Sequence, residues 1–412
     1  MRGANSPHLL VCPLRPITMD ERTRRFLRWK FASYYNTAIE LPADFWMREF
    51  GFIFFDRSAF IRHLAFSGAA QIHDFLRKNA PAHAFYSSAI YERPAAKEMS
   101  KKGWLGADLI FDLDADHILG EEGQETERGR NYENMLRRVK QETKKLLDFL
   151  ISDFGIEYSD IEVVFSGSRG YHIHVSCDAV RSLGSRERRE IVDYLSARGL
   201  DLRGLLRSVE RMCAAESNVT ESGGWSKRLF RGLLNFLLTV KEKVEEDEDA
   251  ALNELMRIKG IGEKGARKIV ALVKDEAKME KIASGSLNQI PRIMPIWKVI
   301  IANFAVELVA KEDEPVTVDI HRLIRMPFSL HGKTGFIVKP VPLDDFDDFE
   351  PLEEAVAFSQ ERGERDGVRV KGLRNASVRI KGQEYSVSAG EIVELPEHAA
   401  VYFLCRGFAE IF

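Results

Sequence analysis

The sequence predicts an α/β fold, and three observations predict it. Strand-like runs recur at 50–56, 86–91, 107–115, 161–166 and 171–176, with alternating or β-branched and aromatic content. Between them lie helical periodicities, clearest from Tyr132 to Phe154, where Met135, Val139, Leu146, Leu147 and Leu150 share a face. Beyond residue 180 the chain reads as helical and rich in arginine, until short strand-like segments return after Val368. With 412 residues, the chain is long enough for a large core and more than one domain.

Bulk composition narrows the class. The chain is 45% hydrophobic and 30% charged, with a formal net charge of -3. That excludes a uniformly basic nucleic-acid coat but leaves room for a local basic groove. Cys12, Cys177, Cys213 and Cys405 form no C-x-x-C pair. This argues against a disulfide framework or a cysteine zinc cluster, and fits a reducing, cytoplasmic location. No apolar run approaches the ~20 residues of a membrane span. The apolar run in residues 1–18 is too short for a signal-peptide core, and Met19-Asp-Glu-Arg22 reads as a second start, so 1–18 is either a disordered extension or no part of the protein.

In chain order, Asp20 to Tyr35 forms a basic amphipathic helix, with Arg22, Arg24, Arg25, Arg28 and Lys30 set among Phe26, Leu27, Trp29 and Phe31. A solvated face explains it without a nucleic acid. Strands follow at Met47 to Asp56 and at Tyr86 to Tyr91, the second closing on Pro94. Next comes Gly106-Ala-Asp-Leu-Ile-Phe-Asp-Leu-Asp-Ala-Asp-His117. In a strand, Asp112, Asp114 and Asp116 point to one face, with same-face Cα atoms about 7 Å apart. Carboxylates this close repel unless a cation or protons intervene. The spacing suits a pair of divalent ions, Mg2+ or Mn2+; a strand end running into an acidic turn would look the same.

Gly120 to Arg130 reads as a loop before the helix 132–154. Ile161 to Phe165 is a strand that enters Ser166-Gly-Ser-Arg-Gly170, and Tyr171 to Ser176 leaves it. A turn of glycine, hydroxyl and Arg169 suits a phosphate. His172 and His174 share a face of the second strand and suit phosphate or sugar; core histidines and a zinc pair are the alternatives, and no third zinc ligand sits at a recognisable spacing. The Arg-rich helices of 180–240 carry Arg181, Arg186, Arg188, Arg189, Arg198, Arg203, Arg207 and Arg211. Ser222 to Ser226 breaks them, and the acidic run Glu245 to Asp249 reads as a solvated linker.

Leu255 to Ile269 then resembles a helix-hairpin-helix element: Gly260-Ile-Gly262 makes the hairpin, and Ala266 and Ile269 lie on the packing face of its second helix. Lys259, Gly260, Gly262 and Lys264 are its candidate DNA contacts, since exposed N–H groups at such a turn suit phosphate. A purely structural turn is the alternative. Asp313 to Gly335 is the last stretch with chemistry, carrying Arg322, Arg325 and His331-Gly-Lys-Thr-Gly335. Gly-Lys-Thr is no P-loop, because position 327, where the first glycine belongs, is Pro. Leu343 to Phe349 is acidic and aromatic, and Val368 to Phe412 reads as a β-rich ending with turns at Gly382 and Gly390.

Taken together these motifs resemble the small, catalytic subunit of archaeal/eukaryotic-type DNA primase, nearest its archaeal form. The resemblance runs from about Met19 to about Val341. It rests on Arg48-Glu-Phe50, Tyr86-Ser-Ser88 with Glu92-Arg-Pro94, Asp112-Leu-Asp114, Ser166 to His172, and Asp313 followed by Arg322 to His331, in that order.

The resemblance implies a primase-type core with a mixed, largely antiparallel sheet flanked by helices. The core would comprise 19–180 and 291–343, with a helical insertion at 181–290 holding the hairpin element (255–269); the small β-rich region at 344–412 lies beyond the resemblance and is read from its own strand pattern. It implies a catalytic, metal-binding triad of Asp112, Asp114 and Asp313, with Asp319 as the competing third member and no settled role for Asp116. Ser166, Arg169, His172, Arg325 and His331 would contact nucleotide phosphates.

The implied activity is nucleotidyl transfer at a two-metal Mg2+ or Mn2+ site. It would make short RNA primers, or DNA primers, on single-stranded DNA for replication. The implied partners are a large subunit in a heterodimer, template, nucleoside triphosphates and the replication machinery, with no membrane. The chain departs from many relatives in one respect: Gly120 to Asp160 holds no Cys and no His, which argues against their structural zinc. A primase-like repair polymerase extending existing ends shares the same metal site. A non-catalytic DNA-binding protein using the hairpin is the reading from another class.

Overall fold

The structure, a computed structural model, describes residues 19–115, 130–201, 204, 224–284, 296, 316–358 and 367–412. The expectations placed on residues 1–18, Asp116, Arg203, Arg207, Arg211 and Asp313 lie outside these, as do nearly all of the 120–130 loop, the first two residues of the Ser222 stretch and the first three of the Asp313 stretch. Two units emerge: Met1–Thr143, Tyr158–Arg189 and Leu308–Phe412 form the first, and Lys144–Glu157 and Glu190–Glu307 the second.

The first unit opens with α1 (Glu21–Tyr34), capped by Asp20, whose carboxylate accepts from the Arg22 and Thr23 N–H groups. The strands β1 (Phe50–Phe54) and β2 (Arg57–Leu64) form a hairpin, followed by α2 (Ala69–Asn79), β3 (His83–Ser87), β4 (Ala89–Tyr91), β5 (Trp104–Ala107) and β6 (Leu109–Asp114). The helix α3 (Arg130–Ser152) begins here and ends in the second unit, β7 (Ile161–Phe165), β8 (Gly170–Val175) and α4 (Asp178–Arg181) follow, and α5 (Ser185–Leu195) also begins here.

In the second unit, α6 (Gly224–Glu246), α7 (Glu248–Arg257), α8 (Glu263–Val273) and α9 (Glu276–Ala283) bury a shared core that includes Leu233, Leu237, Leu255, Ala266 and Ile269. Back in the first unit come β9 (Leu323–Arg325), β10 (Lys339–Val341), α10 (Pro351–Glu354), β11 (Val368–Gly372), β12 (Ala376–Ile380), β13 (Gln383–Val387), β14 (Ile392–Leu395), α11 (Glu397–Cys405) and β15 (Ala409–Ile411).

Two four-stranded sheets position the site. One has the order β2-β1-β3-β9 and the other β10-β7-β8-β6. Every strand pair among the described residues is antiparallel, as a largely antiparallel α/β core requires. None of the described helices is long and apolar enough to cross a membrane.

Some expectations are corrected. The strand expected at 50–56 ends at Phe54 and turns into β2, which the sequence reading missed. The runs 86–91 and 107–115 each split in two, at Ser88 and at Asp108. The physical reason is one buried arginine: Arg48 donates to the Ser87 and Ser88 carbonyls and to the Asp108 carboxylate at 2.5 Å. The acidic run 245–249 is not a linker. It ends α6 and starts α7, with Asp247 as N-cap accepting from the Ala250 N–H at 3.0 Å. The tail is not wholly β: Ala399 to Cys405 of α11 is buried throughout, so the segment has no polar face to reveal a helix by its periodicity.

Candidate active site

The site begins with the alternation in β6. Phe111 and Leu113 are buried, while Asp112 and Asp114 on the other face remain partly open. Across the ladder Asp112 faces His172 and Asp114 faces Gly170. Directly paired residues share a face, so the carboxylates and the His172 ring meet: Nε2 lies 3.5 Å from Asp112 Oδ1.

Gly170 is required here. A Cβ on it would come within 2.1 Å of the Leu113 carbonyl oxygen, so only a bare backbone lets the turn reach the acidic strand.

The 166–170 turn is closed at its base. Ser166 N–H donates to the Gly170 carbonyl at 2.9 Å, and the Ser166 hydroxyl accepts from Gly170 N–H at 3.2 Å. Gly167 takes φ +81°, and a Cβ there would meet His331 Cβ at 2.7 Å. Two further hydroxyls hold the turn from outside: Thr334 donates to the Gly167 carbonyl and Tyr132 to the Ser168 carbonyl, both at 2.5 Å. Arg169 extends from the turn toward the acidic strand, with Nε 3.8 Å from Asp114 Oδ1.

The second sheet supplies Arg325. In β9 it pairs with Phe85 of β3, and its guanidinium donates to His83 Nδ1 at 2.7 Å. His83 Nδ1 also accepts from Gly332 N–H at 3.2 Å, which leaves that ring neutral with its proton on Nε2. The His331 ring meets His83 edge-on, with centroids 5.0 Å apart, and its Nδ1 accepts from Lys333 N–H at 3.3 Å.

Burial shapes the electrostatics. It pushes His172 down to about 3, with the Arg325 and Arg322 cations adding to the effect. Burial, Arg325 and nearby charges also hold His83 and His331 well below the ordinary imidazole value. Arg325 itself falls to about 10 through burial, against the opposing pull of Asp112 and Asp114. At neutral pH the imidazoles of the site therefore act as neutral hydrogen-bonding groups rather than as cations.

The donor set fits a hard divalent ion. Asp112 and Asp114 offer oxygen from one face with solvent access, the ligand type that Mg2+ and Mn2+ take. Among the described residues no cluster of three metal-binding side chains forms. Asp319, the competing third aspartate, turns its Oδ1 back to accept from His321 N–H at 2.9 Å.

The structure thus brings together Asp112, Asp114, Ser166, Arg169, His172, Arg325 and His331 in the first unit. Lys259, Gly260, Gly262 and Lys264 are exposed in the second, on the turn between α7 and α8, where Gly260 takes φ +96° and Gly262 starts α8. His83, Tyr132 and Thr334 were not foreseen. Thr334 stood in plain view within Gly-Lys-Thr, but its task depends on a contact with residue 167.

Residues 111–343 match the family model described as DNA primase small subunit. Over 406 residues the chain is 40% identical to the "DNA primase small subunit PriS" of Methanothrix thermoacetophila, covering 95% of this chain and 100% of that one. The protein of the same name from Methanococcoides burtonii is 42% identical, with 95% and 99% covered. That of Halorubrum lacusprofundi is 37% identical, with 95% and 98% covered.

Proposed function

The chain belongs to the DNA primase small-subunit family, and from that premise we propose that it is the catalytic nucleotidyltransferase that builds short RNA or DNA primers on single-stranded template. The observation that carries this reading is the convergence of Asp112 and Asp114 with Arg169 and His172 on one sheet and Arg325 on the other. A nucleoside triphosphate needs metal on one side and fixed donors on the other, and this arrangement offers both.

In this reading Asp112 and Asp114, together with Asp313, hold two Mg2+ or Mn2+ ions. The chemistry such ions supply is a lower pKa for the primer 3′-hydroxyl and charge compensation at the departing pyrophosphate. The remaining work belongs to side chains. Arg169 and Arg325 bind phosphate oxygens through charged N–H donors. His172 and His331, kept neutral by burial, each present an N–H without adding charge. Ser166 and the closed turn fix the position of Arg169, and a site built on paired strands keeps these donors in place without reorganisation. Catalysis is then mainly positioning and electrostatics.

The exposed hairpin at Lys259, Gly260, Gly262 and Lys264 holds DNA by its phosphates, without regard to sequence. A large subunit completes the heterodimer and links it to the replication machinery. The test is Asp114→Ala: nucleotide incorporation falls by at least ~10²-fold, the scale of losing a transition-state electrostatic contact, while template affinity stays within about twofold. Equal loss of incorporation and template binding would make the aspartate structural and refute the assignment.

A further inference from the structure

His172 and His174 are neighbours on one face of β8, with ring centroids 6.1 Å apart. Both are buried, and each has one ring nitrogen without a hydrogen-bond partner: Nδ1 of His172 and Nε2 of His174. Two neighbouring buried imidazoles, each with an orphan nitrogen, are costly unless something satisfies them. The other nitrogen of each ring is accounted for. His172 Nε2 faces the Asp112 carboxylate at 3.5 Å, and a carboxylate only accepts, so Nε2 carries the proton and Nδ1 must accept.

His174 Nδ1 lies 3.1 Å from the hydroxyl of Tyr86, and the two rings stack within 5° of parallel. Tyr86 is buried, and this is the hydroxyl's hydrogen bond. A phenol is the better donor and an imidazole nitrogen the better acceptor, so Tyr86 donates to Nδ1. The His174 proton then sits on Nε2. One orphan nitrogen is therefore a donor and the other an acceptor, with no direct hydrogen bond between them, a polarity that a single buried water can join.

We propose that Tyr86 and His174 are positioning residues: a one-way chain of donors runs from the Tyr86 hydroxyl through His174 and one buried water to His172, and fixes His172 as an Nε2–H donor over Asp112. Tyr86 lies on β3 of one sheet and the histidines on β8 of the other, so the chain also ties the tautomer of His172 to the way the two strands face each other. The consequence for nucleotide binding rests on the function proposed above; the tautomer itself does not.

The experiment uses the full chain labelled with 15N-histidine. Long-range 1H–15N spectra report which nitrogen of each imidazole is protonated, without any substrate. The wild type shows His172 and His174 as Nε2–H tautomers. Tyr86→Phe removes the leading donor, and the Nε2–H population of His172 falls. The second pair of variants guards against loss of folding by Tyr86→Phe. His174→Phe raises the KM for nucleotide about five- to tenfold, the scale of one net hydrogen bond, and more than it lowers kcat. His174→Gln, whose amide N–H takes the place of Nε2–H, restores it. An Nδ1–H tautomer for His172 in the wild type, an unchanged tautomer in folded Tyr86→Phe, or a His174→Gln variant as impaired as His174→Phe overturns the proposal. Were the chain unable to incorporate nucleotides at all, the spectra would still decide the tautomer, so the two failures stay separate.

Discussion

Gly170 shows how little room the site leaves a single residue. Its missing Cβ is what lets the 166–170 turn close on β6, since that atom would stand 2.1 Å from a backbone oxygen that cannot rotate away. Gly170→Ala should cost about 3 kcal/mol, the upper end for overpacking, and displace Arg169 from Asp114. Urea unfolding would show it as a lower midpoint; an unchanged midpoint would contradict the close approach. The same scale separates what a sequence exposes from what it hides. Asp112, Asp114, Arg169 and His172 were legible because strand alternation and a glycine-rich turn act over a few residues. Arg325 and His331 stood out within Asp313 to Gly335, but their phosphate role came only with the family resemblance. His83, Tyr132 and Thr334 stayed hidden because each acts on a group far along the chain: Arg325 lies 242 residues from His83 and Gly167 lies 167 from Thr334. No local period marks such a contact.

Among the elements, strand existence was easier to read than strand limits. The breaks at Ser88 and Asp108 depend on Arg48, whose side chain is 2% exposed and whose partner Asp108 is 3% exposed. Burial alone would raise the Asp108 carboxyl, yet Arg48 and Arg181 hold it below its ordinary value. Arg48→Ala takes one of two cations from the buried Asp108 and leaves the Ser87 and Ser88 carbonyls without its N–H groups, so it should destabilise by about 3 kcal/mol, the lower end for breaking a buried pair, read from chemical denaturation. A loss under ~1 kcal/mol would mean the pair is solvated.

The hairpin between α7 and α8 belongs to this scale as well. Its apolar residues Ile261, Ala266 and Ile269 are buried, which explains why a helical pattern announced it, while Lys259 and Lys264 stay exposed. If they touch phosphate, replacing both with Ala weakens DNA binding across all sequences. The slope of log affinity against log salt should then flatten by about 0.7 per lost contact on single strands. An unchanged slope retires the DNA contact and leaves the hairpin structural. The β-rich tail misled for the opposite reason: α11 is apolar all round, so burial erased the period that would have identified it.

Across the molecule, the residues that converge on Asp112 and Asp114 all come from the first unit, which the second interrupts twice in sequence. The fold class was legible because strand and helix patterns alternate from Met47 to Ser176; how separate segments meet at one site was not, because that is set by sheet order and register. The account stands on one claim, that this assembled site starts chains as well as extending them. The most direct measurement is synthesis on a bare, circular single-stranded DNA with nucleoside triphosphates and Mg2+ or Mn2+, without primer, in the presence and absence of the large subunit. The account predicts short products that depend on the metal and vanish with Asp114→Ala. No product even with the large subunit, while an annealed primer is extended, would contradict it and make the chain an end-extending polymerase instead.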